Sequence, residues 1–304
     1  MLLILEQLLN GLQLGITLFL MSAGLTLVFG IMQVINLAHG SFYMIGAYVG
    51  ATVAGHTGSF PLAVGAGVAA AMVTGCLVEF LVLRHLYARE HLDQVLATFG
   101  LIMFFNELTR VIWGRQPLFV EVPGPLARSI ELLPGLPYPA YRLAVIAVGL
   151  LVAAGLWFIF ARTRLGMQIR AGAVNREMIG ALGVNIKLLY TLVFGLGAML
   201  AGLAGIMAGP ILAVESGMGE SILILTFVVI VIGGIGSIRG AVAGALLVGM
   251  VDTLGRAFLP TILKLFLAAS TADGVAASLS SMAIYILMAI VLVVKPRGLF
   301  PAHA

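Results

Sequence analysis

The sequence has very few charged residues. Only 9% of its 304 residues are Asp, Glu, Lys or Arg, whereas about a quarter of an average soluble domain is charged. Hydrophobic residues make up 62% of the chain, and the mean hydropathy is +1.16. This balance excludes an ordinary soluble protein and predicts a chain that crosses a membrane many times.

Cysteine and the common catalytic motifs are also scarce. Cys76 is the single cysteine, so an intrachain disulfide and a CxxC metal site are excluded, and we interpret it as a small packing residue. The motifs HExxH, GxxxxGKS/T and DxDxDG do not occur, so we predict no metal, nucleotide or cofactor site. The basic residues are spread among loops, which argues against a nucleic-acid partner.

No polar interval is long enough for a soluble domain. The longest one outside the basic loop described below is 114–139, and the first apolar run, 8–29, is of spanning length and interpreted as a retained helix rather than a signal peptide. We predict a single transmembrane domain over residues 1–304. Its predicted fold class is all-α, a polytopic helix bundle in the lipid bilayer.

Apolar segments near the length that a bilayer requires recur along the whole chain. A re-entrant break at 30–45 would reduce their number from nine to eight. The predicted spans are 7–29, 40–55, 61–83, 94–113, 141–161, 189–209, 221–236, 241–258 and 275–294.

The loop at 162–188 is the most basic interval in the chain. It carries four arginines and one lysine against a single acid, Glu177, for a net charge of +4. An excess of positive charge marks the cytoplasmic side of a membrane protein. We therefore expect this loop inside, the interval 114–139 outside, the N-terminus outside and the C-terminus in the cytoplasm.

A short amphipathic helix is predicted within this loop, from Ala171 to Leu182. Met178, Ile179 and Leu182 share one face, and Gly183 follows where the helix would end. A two-turn helix is marginal alone in water, so its apolar face needs a partner. That partner is either the bundle itself or a groove on a second, soluble protein.

Several polar and small residues within the apolar segments are further candidates for function. Asn36, His39 and Ser41 form a polar cluster, which we interpret either as the lining of a pathway at a broken helix or as a structural turn. Ser41 has no acid nearby to orient His39 as its base, so no catalytic residues are predicted. Glycines at intervals of four residues predict a close helix contact: Gly236, Gly240 and Gly244.

The few ionisable residues in or near the spans are spaced for pairing. Asp252 and Arg256 lie four residues apart and Glu107 and Arg110 three apart, so each pair is predicted to form on its own helix. In the outer loop 114–139, six prolines predict a rigid, irregular cap rather than a helix or strand.

Four stretches of the sequence resemble the permease subunits of branched-chain amino acid ABC importers of the LivH type. They are GLTLVFGIMQVINLAHGSFYMIGAY (24–48), RAGAVNREMIGALGVNIKLLYTLVFGLGAMLAGLAGIMAG (170–209), VIGGIGSIRGAVAGALLVG (231–249) and KPRGLF (295–300). Ile179 departs from the small residue expected after the methionine. The resemblance implies that the basic loop couples to an ATPase subunit through Arg170, Asn175, Met178 and Gly183. With the adjoining helix residues, the expected coupling segment comprises Arg170, Asn175, Arg176, Glu177, Met178, Ile179, Leu182 and Gly183.

The resemblance also implies the assembly and the solute. A second permease, identical or different, two cytoplasmic ATPases and a periplasmic binding protein would complete an importer in the bacterial inner membrane, and ATP hydrolysis would occur in the partners. Leucine, isoleucine and valine are the expected solutes, with urea, short amides or aromatic acids as alternatives. A secondary carrier or channel acting alone is the competing class, and a purely structural membrane scaffold is a third.

Overall fold

The computed structural model describes residues 2–301, except for the side chains of Arg176, Ala269 and Ser270. This part of the chain folds into eleven α-helices and one two-stranded hairpin. The helices are α1 Leu2–Met32, α2 His39–Thr57, α3 Phe60–Leu81, α4 His91–Trp113, α5 Ala140–Arg162, α6 Arg164–Val174, α7 Arg176–Ala181, α8 Ile186–Ala208, α9 Met218–Gly233, α10 Ile238–Leu263 and α11 Ala269–Val294. The strands are β1 Ser129–Leu133 and β2 Leu136–Pro139.

The predicted all-α polytopic bundle is confirmed. Within the described residues, seven helices are long and apolar enough to cross a membrane: α1, α3, α4, α5, α8, α10 and α11. The other two predicted spans are also helical but shorter, with 19 residues in α2 and 16 in α9. Each of the nine apolar segments therefore contains a helix, and the two short ones leave non-helical chain inside the bundle.

Helices α1 and α8 form the centre of the bundle. Both are mostly buried, and α8 packs against α1, α2 and α3 while α1 also packs along α10. In contrast, α4, α5 and α11 expose large apolar side chains such as Val111, Leu151 and Val293. Apolar side chains facing outward on a polytopic bundle are those that the lipid covers.

Small residues allow the central helices to approach one another closely. A Cβ atom on Gly46 of α2 would overlap the backbone of Gly202 on α8, and one on Gly24 of α1 would overlap Gly197 on α8. Since lipid provides no hydrophobic drive between helices, this close backbone packing is what holds such a bundle together.

The outer loop contains a β-hairpin, so the expectation of an irregular cap without strands was wrong. Strands β1 and β2 pair antiparallel, although β2 contains Pro137 and Pro139. Both strands of a two-stranded ribbon are edges, where a missing N–H group is tolerated. Leu136 and Tyr138 alternate with the prolines and turn towards the protein, and the Tyr138 hydroxyl donates to the Asn10 side chain at 3.1 Å.

Candidate functional site

The basic loop folds into two helices rather than the single short helix expected over 171–182. Helix α6 ends at Val174, and Asn175 adopts an extended backbone with φ −152° and ψ 97°. Its side-chain oxygen accepts the N–H of Met178 at 2.9 Å. Asparagine favours such a cap over a helix interior because it satisfies an N–H group that the first turn leaves free.

Gly183 ends α7 in the left-handed conformation, as its position predicts. Its φ is +86°, which a residue with a Cβ rarely adopts. The N–H of Gly183 donates to the carbonyl of Gly180 at 3.0 Å, and that of Val184 to Ile179 at 3.3 Å. This is the Schellman arrangement, so α7 is capped at both ends.

The apolar face of α7 divides between the two partners that the sequence left open. Ile179 is buried, with 6% of its surface exposed, and α7 packs against α6 and α8. Met178 and Leu182 are 65% and 78% exposed, and Val174 at the end of α6 is 77% exposed. We call these three exposed side chains the loop patch. Ile179 thus anchors α7 to the bundle, whereas the loop patch is a free apolar surface.

The remaining residues of the expected coupling segment whose side chains the structure describes are exposed. The Arg170 guanidinium donates to the carbonyl of Phe160, which ties α6 back to α5. Glu177 lies exposed in the first turn of α7, where a negative charge interacts favourably with the helix dipole. The side chain of Arg176 lies outside the described part of the structure.

A buried polar cluster, not predicted from the sequence, links α3 to the start of α8. The Glu79 carboxylate is fully buried and accepts from Arg84 at 3.2 Å, from the Tyr87 hydroxyl at 2.7 Å and from the Thr191 hydroxyl at 2.6 Å. Burial, together with the hydrogen bond to Glu79, raises the pKa of Tyr87 above its ordinary range, so the phenol remains a donor. We call these four residues the Glu79 cluster. An acid near the end of an apolar span was the only sequence signal for it.

The two helical pairs expected from spacing are confirmed. Arg256 contacts Asp252 at 2.9 Å on α10, and Arg110 contacts Glu107 at 2.5 Å on α4. The Glu107 side chain is 67% exposed and that of Asp252 11%, whereas that of Glu79 is 0% exposed.

The chain between α1 and α2 re-enters the bundle. After Met32, residues 33–38 are not helical, and Gln33 has a φ of +53°. His39, the first residue of α2, places Nε2 at 3.2 Å from the carbonyl of Met21, about two-thirds of the way along α1. The start of α2 therefore lies inside the bundle.

All three members of the predicted polar cluster are buried at this break. Asn36 and His39 are 0% exposed and Ser41 is 3% exposed. The Asn36 oxygen accepts the N–H of Ala38, but Asn36 Nδ2 and His39 Nδ1 have no hydrogen-bond partner. Buried polar atoms without partners are rare, since each forfeits its hydration, and they suggest a role beyond a satisfied turn.

The start of α9 meets the start of α2. Gly40 and Gly219 lie backbone to backbone, so that a Cβ atom on either would overlap the other. Beside this contact, a crevice too narrow to admit a water molecule is lined by Ser41, Asn106 and Glu220 among others. Two helices with interrupted chain before them thus begin at the same place within the bundle.

The three packing glycines do not share one helix face. Gly240 and Gly244 lie on α10 against α9, where a Cβ atom on Gly240 would overlap the Gly233 carbonyl. Gly236 precedes α10 with a φ of +81°, in the turn between the two helices. It supports the turn through its left-handed backbone and contacts Gly30 of α1.

Similar proteins are permeases of solute importers. Permease protein BraD of the high-affinity branched-chain amino acid transport system of Pseudomonas aeruginosa is 32% identical over 263 residues, covering 83% of this chain and 86% of that protein. The corresponding permease protein LivH of Escherichia coli is 28% identical over 277 residues, with 84% and 87% covered. The ribose import permease protein RbsC of Escherichia coli is 26% identical over 244 residues, with 77% and 72% covered.

No solved structure shows a significant match to the chain. The family model described as "Branched-chain amino acid transport system / permease component" matches residues 7–292. This match includes the break between α1 and α2, the basic loop and the turn between α9 and α10. The chain belongs to the family of permease components of branched-chain amino acid transport systems.

Proposed function

We propose that this chain is the membrane-spanning permease subunit of an ABC importer, and that it moves branched-chain amino acids across the bacterial inner membrane. Family membership and the names of its relatives support this function. The observation that carries the coupling role is the loop patch on a helix fixed to the bundle. In this role the chain supplies the pathway and holds no catalytic site, because partner ATPases hydrolyse the ATP.

We propose that α7 is the coupling helix and that the loop patch docks in a groove on the ATPase. An amphipathic helix in an apolar groove is a common recognition mode, and exposed apolar patches mark interaction surfaces. Ile179 and the two caps fix α7 to the protein, so a displacement imposed on Met178 is passed to the bundle. Arg170 and Glu177, both exposed in the same segment, contribute polar contacts around the patch.

Replacing Met178 with Asp tests this docking. If Met178 is buried in the complex, the substitution places an unpaired carboxylate in an apolar groove, and we expect ATPase binding to weaken at least about tenfold. Because Met178 is 65% exposed in the chain alone, the thermal stability of the isolated permease should not change. Both quantities can be measured by pull-down with the ATPase and by thermal unfolding in detergent.

Two further variants make the experiment decisive. Met167→Asp is the same change at an exposed methionine on α6 and should leave ATPase binding intact, whereas Ile179→Asp buries a charge and should destabilise the permease itself. The docking role is refuted if Met178→Asp binds the ATPase normally and supports solute-stimulated hydrolysis.

The partners that we propose follow from the importer class. They are a second permease subunit, identical or different, two cytoplasmic ATPases and a periplasmic binding protein that delivers the amino acid. In this assembly, the loop 162–188 and the C-terminus face the cytoplasm, while the N-terminus and the hairpin loop 114–139 face outward. The charges of these loops, +4 inside and zero outside, support this orientation.

We further propose that Asn36, His39 and Ser41 line the solute pathway. Non-helical backbone at membrane depth is tolerated where it lines a cavity, and binding sites of transporters are commonly built at interrupted helices. The partnerless nitrogens of Asn36 and His39 support this position.

Replacing Ser41 with Ala should lower solute uptake without altering assembly, because it removes a hydroxyl from the proposed pathway. Ser278→Ala, on the exposed side of α11, serves as the control. Uptake is measured with the complete importer in liposomes. Unchanged uptake kinetics for Ser41→Ala would place the pathway elsewhere.

A stand-alone carrier or channel remains the alternative function. A proton-coupled carrier typically has an unpaired carboxylate within the membrane. Glu79, Glu107 and Asp252 each pair with an arginine, which argues against this class. The two classes differ in one measurement, because a carrier or channel moves solute into liposomes without ATPase subunits.

A further inference from the structure

A large cavity lies on the side of the bundle, at the end that carries the basic loop. Its volume is about 940 Å³, and its walls come from α1, α5, α6, the start of α10 and the segment after α11. Along α1, it extends from Phe19 to Ile31, a distance of about 18 Å at 1.5 Å per residue. We call this space the side cleft.

The lining of the side cleft is apolar except at the loop end. Its walls include Leu27, Leu156 and Phe160, whereas its charged residues are Arg170 of α6 and Arg239 of α10. No Asp or Glu is among the lining residues. The cleft therefore combines a long apolar interior with an end that carries only positive charge.

One polar group inside the cleft has no partner. The Thr26 hydroxyl is buried, with the residue 2% exposed, and makes no hydrogen bond. Thr26 precedes Ile31 by five residues on α1, so it lies roughly 7.5 Å deeper than the arginine end. A ligand that fills the cleft would thus meet two cations, then a hydroxyl, then an apolar interior.

We propose that the side cleft binds an anionic phospholipid. The headgroup phosphate pairs with Arg170 and Arg239, an ester oxygen accepts from the Thr26 hydroxyl, and one acyl chain lies along α1 between α5 and α10. Basic pockets between transmembrane helices are typical sites for anionic lipids. The Arg170 guanidinium has donors to spare beyond its contact with the Phe160 carbonyl.

The chemistry of the lining favours a lipid over an apolar helix from a second permease. Such a helix would leave Arg170 and Arg239 without a counter-charge, whereas a headgroup phosphate supplies one. Ligand pockets of about 300–1,000 Å³ are the usual range for small molecules, and the cleft lies within it. Trp157 on the wall is 62% exposed, which suits the interfacial region where lipid headgroups begin.

Lipid retention by the full purified chain tests the proposal. After exchange into detergent, the chain is titrated with dioleoyl phosphatidylglycerol or with dioleoyl phosphatidylcholine, and bound lipid is counted by native mass spectrometry. We expect the anionic lipid to bind preferentially. Replacing Arg170 and Arg239 together with Gln should weaken its binding about 30-fold, or about fivefold for each arginine.

Arg89→Gln is the control, because it removes an exposed arginine that does not line the cleft. It should retain the lipid as the unmodified chain does, and Thr26→Val should weaken binding a few-fold. Equal retention of both lipids, or normal retention by the double arginine variant, overturns the proposal. Loss of the bound lipid when the second permease joins also overturns it, since the cleft is then part of a subunit interface.

Discussion

At the scale of single residues, the structural role of a glutamate depends on how deeply its carboxylate is buried. Glu79 is fully buried and accepts from three residues in two parts of the chain, whereas the side chain of Glu107 is 67% exposed beside Arg110. A buried charge without its partners costs far more than an exposed one, because water cannot replace the lost contacts. The Glu79 cluster therefore fixes the end of α3 to the start of α8, directly after the basic loop.

Replacing Glu79 with Gln should destabilise the permease by about 3 kcal/mol, because Arg84 loses its counter-charge beside a buried site. Glu107→Gln is the matched change at an exposed pair and should cost less than about 1 kcal/mol. Thermal unfolding of both variants in detergent measures the difference. Equal losses of stability in the two variants would show that the Glu79 cluster stabilises the protein no more than an exposed ion pair does.

Part of this residue-level picture was predictable from sequence. The helix end at Gly183 and the ion pairs on α4 and α10 were predictable, because each depends on residues only a few positions apart in the sequence. The Glu79 cluster was not predictable, because Thr191 lies 112 residues away and reaches Glu79 only through the packing of α3 on α8. The burial of Ile179 beside the exposed Met178 likewise depends on where the bundle places α7.

At the scale of elements, the sequence located each membrane helix and offered a re-entrant break at 30–45, where the structure has non-helical chain at 33–38. The positions of α2 and α9 were predicted, while the contact between their first turns was not, since no local pattern records it. The hairpin in the outer loop escaped prediction because prolines forbid only interior strands. The spacing predicted one continuous helix through Asn175. The loop instead divides there into α6 and α7, because asparagine prefers to cap a helix rather than to lie inside one.

The contact between α9 and α10 depends on the absence of side chains at their crossing. Replacing Gly240 with Ala would overlap the Gly233 carbonyl and separate the helices, at a cost of about 1–3 kcal/mol. Gly100→Ala on α4 meets open space and should stabilise by about 0.5–1 kcal/mol. Thermal unfolding distinguishes the two, and a stable Gly240→Ala variant would argue against tight packing there.

At the scale of the whole molecule, the direction of insertion decides whether α7 can meet an ATPase. Hairpin and basic loop lie at opposite ends of α5, so they face opposite sides of the membrane. Their difference in charge predicts which side is which.

Single cysteines test this orientation in a Cys76→Ser background. With Glu121→Cys, an impermeant thiol reagent should label intact cells, because the proposed orientation places the loop 114–139 in the periplasm. With Glu177→Cys, labelling should require lysis. Both positions are exposed, so a failure to react reports the membrane barrier rather than burial. The reverse pattern would invert the topology and exclude α7 from any cytoplasmic contact.

Helix α8 follows α7 closely, so in the proposed coupling a movement of α7 would tilt α8. Helix α8 begins three residues after Gly183 and has 23 residues, a length of about 34 Å. A tilt of about 5° at its loop end therefore moves its far end by about 3 Å. The far end of α8 packs near the middle of α2, where Ile206 meets Gly50. The first turn of α2 lies beside the middle of α8, where Phe42 packs against Phe194, about 12 Å along the helix. In the proposed coupling, the same tilt would therefore shift α8 by about 1 Å at the polar break.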